Sequence, residues 1–269
     1  MQLVTKCTDR GLSPARLDRF TQIRSVQVPH VGIERLDMTY LAKRGILVTN
    51  ARGSLGMPIA EDIFSQMLML ARAPAYFRHQ AAHRWQHETG PCNLSGKTLA
   101  IVGTGDIGRE TAKRAQAMTM RVLGLNTSGQ SVDGFEQVFA SDALHSLLPI
   151  ADYLVLACPL AEKTEGMIGA RELAMMKPSA VVINIARGAL MDEEALLAAL
   201  TSGALYGAGL KVFVDEFAQG RLVPESPFWD LPNVIITPHQ AGDGDQFYQH
   251  FSRIFWLTSR NLFKETSMP

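Results

Sequence analysis

Apolar positions along the 269-residue chain follow two rhythms. Short, nearly unbroken apolar runs cover residues 99–102, 121–125, 153–157, 180–185 and 234–237, with a further extended stretch over 207–214. Between them, apolar residues return every three or four positions, over 109–118, 144–148, 172–176 and 192–201. Unbroken runs of that length predict strands buried on both faces, and helices alternating with them predict a doubly wound parallel sheet, an α/β fold. The helix signals agree: Asp192, Glu193 and Glu194 form an acidic first turn, and Gly203 ends that helix.

The first fifty residues show the same alternation on a smaller scale. Strand-like stretches at 3–8, 23–28 and 45–49 are interleaved with a helix opened by Ser13-Pro14 and another over 36–43. That is few strands for a free-standing sheet. A long apolar helix is predicted over 58–73, with Glu61 and Asp62 near its start, where the macrodipole favours them. Pro74 breaks it, and a second helix is predicted over 76–86, carrying His79, His83 and Trp85. The pair suits a subunit contact or ordinary packing equally well. The tail, 247–263, reads as an amphipathic helix returning to the N-terminal part. The expected division is residues 1–57 with 241–269 in one domain and 58–240 in the other.

Composition narrows the partners. The chain is 46% hydrophobic and 19% charged, with a formal net charge of zero, so it has ample core and no electrostatic reason to bind nucleic acid or an anionic membrane. The three cysteines, Cys7, Cys92 and Cys158, are scattered without a C-x-x-C spacing, which predicts free thiols in a reducing compartment. No run approaches the length of a membrane span, and the first ten residues lack the apolar core of a signal peptide, so a cytoplasmic protein is expected. His79, His83 and His87 have helical spacing but no acidic or cysteine partners in pattern, and no metal site is expected.

The most informative stretch is the run 99–102, which leads directly into Gly103-Thr104-Gly105-Asp106-Ile107-Gly108 and then into a helix. Gly103 permits the tight turn, Gly105 allows close backbone approach to a pyrophosphate, and Gly108 allows close packing of helix on strand. The free N–H groups of the helix start at Asp106 and Ile107 face the phosphate charge. Three polar residues follow predicted strand ends, where an open parallel sheet binds its ligands: Arg187, Glu216 and His239. A guanidinium pairs bidentately with a carboxylate, and an imidazole exchanges a proton with a carbonyl or hydroxyl oxygen. A neighbouring carboxylate orients that imidazole and favours its charged form. These parts suit hydride transfer between a nicotinamide and a 2-hydroxy acid.

The chain resembles the D-isomer-specific 2-hydroxyacid dehydrogenase family. The resemblance is carried by Gly32-Ile33-Glu34-Arg35-Leu36-Asp37, by residues 44–53 ending in Ala51-Arg52-Gly53, by Ala60-Glu61, and by the glycine turn. It continues in Cys158-Pro159-Leu160 with Thr164, in Asn184-Ile185-Ala186-Arg187-Gly188, and from Ser226-Pro227 through Thr237-Pro238-His239. It implies a Rossmann domain joined to a smaller, discontinuous, flavodoxin-like substrate domain, and a homodimer with 58–86 at the contact. It further implies that Arg187 binds the substrate carboxylate, that His239 is the general acid and Glu216 its partner, and that backbone at Val31-Gly32 and Gly53-Ser54 completes the carboxylate cradle. Cys158, Pro159, Thr164, Ile185 and Ala186 join the glycine turn in the dinucleotide site. Glyoxylate and hydroxypyruvate are the expected substrates; D-3-phosphoglycerate is less supported, since no basic cluster for a second phosphate stands out.

The chain departs from that pattern in three ways. The place where NAD enzymes carry a ribose-binding carboxylate, about twenty residues past the turn, reads Asn126-Thr127-Ser128. Nothing there repels a 2′-phosphate, so NAD or NADP is the expected cofactor, with NADP slightly favoured. Lys211 stands where the family has an aspartate that accepts a hydrogen bond from the nicotinamide carboxamide, and Phe217 replaces a proline. A lysine has donors only, which predicts a less well held nicotinamide and slower hydride transfer. Relative to the family, the N-terminal part also lacks the opening βα segment or segments, which reads as a fragment or as a variant with a reduced lid; either predicts a less complete cover over the cleft. Lys211 and that shortness favour a second reading, a dinucleotide-binding sensor with little catalysis; the intact Arg187, Glu216 and His239 disfavour it.

Overall fold

The computed structural model describes residues 2–4, 12–33, 36–72, 76–86, 92–216 and 222–245, and, in the tail, 249, 251–253 and 255–256. Cys7, Glu34, Arg35, His87 and Phe217 lie outside the described residues, as does most of the tail stretch over 247–263. The chain divides into two compact units, Met1–Leu55 with Gly244–Pro269, and Gly56–Asp243.

In the first unit β1 (Gln2–Val4), β2 (Ser25–Gln27) and β3 (Leu47–Thr49) form a three-stranded parallel sheet in that order. Helices α1 (Pro14–Leu17) and α2 (Met38–Lys43) connect them. Asp37 caps α2 by accepting the Tyr40 N–H at 2.8 Å. Its core is Leu17, Ile23, Val26, Leu41 and Ile46. Arg44 fastens α2 to α1 by donating to the carbonyls of Leu17 and Phe20.

The second unit holds a seven-stranded parallel sheet. Its strands are β4 (Thr98–Val102), β5 (Arg121–Asn126), β6 (Gln137–Ala140), β7 (Tyr153–Leu156), β8 (Val181–Asn184), β9 (Gly207–Leu210) and β10 (Val234–Ile236), in the spatial order β10-β9-β8-β7-β4-β5-β6. Chain order reverses between β4 and β7, the switch point beside which open sheets bind their ligands. Helices α6 (Leu144–Leu147), α7 (Ala170–Ala174) and α8 (Glu193–Ser202) pack on one face, burying Leu147, Leu173, Leu196 and Leu200 against Leu123, Leu154 and Val182. Helices α3 (Gly56–Arg72) and α5 (Asp106–Ala117) cover the other. Along α3, Ile59, Ile63, Met67 and Leu70 form one buried stripe, and burying a side chain of that size stabilises by about 2 kcal/mol.

Four details differ from expectation. α3 begins at Gly56, so its first turn carries no acid; Glu61 pairs with Arg114 of α5 at 3.3 Å, and Asp62 accepts from Gln66 at 2.7 Å. The second helix, α4, spans only Tyr76–Ala81, and His83 beyond it takes a left-handed backbone. The strand expected over 207–214 stops at Leu210. The edge strand β6 has no counterpart in the predicted series: its side chains are half-buried or exposed, as on an edge, so no apolar run announces it.

Candidate functional site

The glycine turn is built as its sequence predicts. Gly103 has φ +106°, and a Cβ there would stand 2.6 Å from the Ala157 carbonyl oxygen at the end of β7. A Cβ on Gly108 would strike the Gly103 carbonyl, so α5 sits tightly on the turn. Gly105 caps α5 with no side chain, and a Cβ on it would meet nothing within 4 Å. Open space beside a bare helix N-terminus at the switch point fits a pyrophosphate. Asp106 opens the helix with its carboxylate against Gly56, and Ile107 gives its carbonyl to the Thr111 hydroxyl at 2.8 Å.

Asn126, at the end of β5, is engaged by its own loop. Its Oδ1 accepts from the N–H groups of Ser128 and Gly129, and its Nδ2 donates to Thr104 Oγ1 and the Gln130 carbonyl. Thr127 and Ser128 are exposed. In the Cys158–Pro159 loop, the Thr164 hydroxyl donates to the carbonyls of Pro159 and Ala161 and accepts from the Ala161 N–H, which closes the loop. Burial pushes the Cys158 thiol up to about 11, a value that makes it inert.

Arg187, Lys211 and His239 follow the ends of three adjacent strands, β8, β9 and β10. The backbone around Arg187 is held by buried Asn184, whose Oδ1 accepts the Ala186 N–H at 3.1 Å and whose Nδ2 donates to the Arg187 carbonyl at 2.9 Å. Ile185 and Ala186 are buried beneath it. Gly188 packs directly on the Phe213–Val214 backbone, where a Cβ could not fit. That contact brings the arginine loop against the segment leading to Glu216. Glu193 of α8 secures the same segment by accepting the Val214 N–H at 2.7 Å.

Glu216 Oε1 lies 2.5 Å from His239 Nδ1, and its Oε2 accepts the Phe213 N–H at 3.4 Å. The glutamate side chain is 15% exposed and the imidazole 32%, so the carboxylate is covered while the ring keeps an open side. His239 has φ +52°, a left-handed backbone uncommon for a residue with a Cβ, and such strain gathers at functional sites.

Lys211 is 6% exposed. Burial first, and the Arg187 charge second, push it down to about 8, against the attraction of Asp62 and Glu216. Burial likewise raises Asp62, more than its bond from Gln66 and the Lys211 charge lower it. Both groups therefore move toward their neutral forms. The sequence puts Asp62 near a helix start and gives no sign of a partner; its place beside Lys211 follows from α3 crossing β9 closely over Gly207 and Gly209.

In the first unit, the loops carrying Val31-Gly32 and Gly53-Ser54 lie side by side past β2 and β3. The Ala51 N–H donates to the His30 carbonyl at 3.0 Å, and Asn50 Nδ2 donates to the Val31 carbonyl at 2.7 Å. The Ser54 N–H and hydroxyl both donate to the Ala51 carbonyl, and Gly53 has φ +88°. Among the described residues, no helix is long and apolar enough to cross a membrane.

Comparison with known proteins agrees with this fold. The family model for the D-isomer specific 2-hydroxyacid dehydrogenase NAD binding domain matches residues 64–241. Glyoxylate/hydroxypyruvate reductase B of Yersinia enterocolitica is 35% identical over 85% of this chain and 71% of its own. Glyoxylate reductase of Thermococcus gammatolerans is 35% identical over 99% of this chain and 80% of its own. Among solved structures, an NADPH-dependent glyoxylate/hydroxypyruvate reductase from Sinorhizobium meliloti, in complex with NADP and sulfate, superposes with a TM-score of 0.80 at 28% identity, covering 100% of this chain and 82% of that one. The chain belongs to the D-isomer specific 2-hydroxyacid dehydrogenase family. It is an NAD(P)-dependent oxidoreductase of small 2-oxo and 2-hydroxy acids.

Proposed function

We propose that the chain reduces glyoxylate and hydroxypyruvate to the corresponding 2-hydroxy acids, with NADPH preferred over NADH. The observation that carries the chemistry is the covered Glu216 carboxylate 2.5 Å from His239 Nδ1, beside the strand end that bears Arg187. Arg187 binds the substrate carboxylate through its guanidinium fork, which fixes the oxo group in one orientation. Glu216 holds the imidazole by Nδ1, so Nε2 faces the substrate and donates its proton to the oxo oxygen. The bound nicotinamide supplies the hydride. In a substrate domain of residues 1–57 and 241–269, Val31, Gly32 and Gly53 offer backbone N–H groups to a carboxylate, and Ser54, whose own N–H is bonded to the Ala51 carbonyl, shapes the Gly53 turn.

Gly103, Gly105, Asp106, Ile107 and Gly108 hold the pyrophosphate; Cys158, Pro159, Thr164, Ile185, Ala186 and Lys211 border the nicotinamide side. The NADPH preference rests on the β5 end. No carboxylate stands there to repel a 2′-phosphate, and with Asn126 tied into its loop, exposed Thr127 and Ser128 are the groups that meet it. A homodimer through residues 58–86 completes the reading.

The test is direct: mix the purified chain with NADPH or NADH and a panel of 2-oxo acids, and follow the absorbance of the reduced nicotinamide. Consumption with glyoxylate and hydroxypyruvate, at lower KM for NADPH, supports the reading. Dinucleotide binding without consumption replaces it with a sensor, and NADH bound many-fold tighter overturns the cofactor preference.

A further inference from the structure

We propose that Lys211 makes this site select the reduced dinucleotide over the oxidised one, its ammonium repelling the form whose nicotinamide ring carries a positive charge. The inference rests on the reading above, that substrate and dinucleotide meet where Arg187 and His239 converge. Lys211 is the first residue past β9, the middle strand of the three whose ends carry Arg187, Lys211 and His239. The nicotinamide carbon that gives up hydride has to touch the oxo carbon, whose oxygen His239 protonates. The ring is therefore confined to these same strand ends, and Lys211 lies between the two groups that define its place.

The charges around Lys211 compensate its ammonium only in part. Arg187 faces it from the β8 loop, Asp62 from α3 and Glu216 from its own segment, with His239 of the β10 loop behind Glu216. Arg187 adds repulsion. Glu216 is already bound to His239 and to the Phe213 N–H. Asp62 is bound to Gln66, and burial raises it toward its protonated form. No described residue accepts a hydrogen bond from the Lys211 ammonium. A substrate carboxylate neutralises Arg187, not Lys211, so the lysine's charge falls on the ring.

The reduced ring is neutral and the oxidised ring carries one positive charge, while pyrophosphate and adenosine contacts are common to both forms. A fixed cation within roughly 8 Å, at an effective dielectric constant of about 20 to 40, weakens the oxidised form relative to the reduced on the order of tenfold. The lysine titrates at about 8, so the ammonium prevails at neutral pH and is lost in mild alkali. The consequence is an enzyme biased toward reduction that releases its oxidised cofactor readily.

The experiment measures dissociation constants for NADPH and NADP+ by calorimetry, without substrate, on the full chain and on Lys211→Met and Lys211→Arg, at pH 7 and pH 9.5. The oxidised-to-reduced Kd ratio is expected to fall on the order of tenfold in Lys211→Met at pH 7 and to be retained in Lys211→Arg at both pH values. In the unsubstituted chain it falls toward the Lys211→Met value at pH 9.5, an arm that needs no variant. A ratio equal in the unsubstituted chain and Lys211→Met at pH 7, or unmoved in the unsubstituted chain between the two pH values, overturns the proposal. If dinucleotides bind and 2-oxo acids are reduced while the ratio stays flat, this inference alone fails. If neither form of dinucleotide binds the unsubstituted chain, the functional reading fails and this inference with it.

Discussion

Glu216 and His239 are separated by 23 positions in the chain and by 2.5 Å between Oε1 and Nδ1. The carboxylate is the more covered of the two, and the imidazole lies against it. Glu216→Gln keeps the shape and an acceptor for Nδ1–H, but removes the charge that stabilises a protonated ring. The expected result is a fall in kcat for 2-oxo acid reduction of about a hundredfold, with KM for the oxo acid and Kd for NADPH nearly unchanged. Steady-state kinetics with a separate binding titration checks both halves. A change in KM alone means that Glu216 shapes the pocket and does not serve the proton transfer.

Arg187 depends on a buried neighbour for its place. Asn184 holds the loop by two hydrogen bonds, one to the Ala186 N–H and one from its amide to the Arg187 carbonyl. Arg187→Lys replaces a planar fork with a point charge and is expected to lower kcat/KM for the oxo acid by about a hundredfold or more. Asn184→Ala leaves the guanidinium in the chain but releases its loop. About tenfold in KM is expected, with dinucleotide affinity retained. Equal loss of NADPH binding in Asn184→Ala means that the whole strand end has collapsed.

Much of this was legible beforehand, for physical reasons that differ by element. β4 and the turn after it are announced by an unbroken apolar run and three glycines, because a strand buried on both faces and a backbone that touches its neighbours leave little choice of residue. Arg187, Glu216 and His239 stood out as candidates because each follows a predicted strand end, where an open parallel sheet presents ligands, and the structure brings Glu216 against His239. β6 was missed because an edge strand needs no apolar pattern. Asp62 is less legible: a carboxylate near a helix start gives no sign of burial until the helix is seen to begin at Gly56, two residues earlier than expected, and to cross β9 over two glycines. The securing roles of Gly188 and Glu193 are tertiary as well, and no local spacing encodes them.

Lys211 also makes a prediction about stability. Its folded value, about 8, lies below the ordinary 10.5. Between those values the unfolded chain binds a proton that the folded one does not, so stability rises with pH across that window. Below about 8 the folded state bears the full penalty of a buried ammonium, about 3 kcal/mol at 1.36 kcal/mol per pH unit. Lys211→Met removes it and is expected to be more stable by about 2–3 kcal/mol at pH 7, the gain shrinking toward zero by about pH 10.5. Urea denaturation of both proteins from pH 6.5 to 10.5 measures the difference. A constant gain across that range means that packing, not charge, is responsible.

At the far end of the sheet the opposite sign is expected. Asp152 Oδ2 accepts the Thr98 N–H at 2.8 Å where β4 begins, and Oδ1 pairs with Lys177 Nζ at 2.9 Å. Burial works to raise this carboxyl, but the Thr98 bond, the Lys177 bond and the charges of Lys177 and Lys97 together hold it below its ordinary 3.8. A carboxyl that titrates lower in the folded chain stabilises it at every pH above the unfolded value and loses that contribution as pH falls through the folded value. Asp152→Asn keeps an acceptor for the Thr98 N–H but turns a donor or a weakened dipole toward Lys177. It is expected to cost about 1–2 kcal/mol at pH 7, with a difference from the unsubstituted chain that shrinks as pH falls below 3.8. Because the contact anchors the strand that leads into the glycine turn, NADPH affinity measured well below the denaturation midpoint stays unchanged. A variant that loses affinity while still folded shows instead that the register of β4 against β7 depends on this carboxylate.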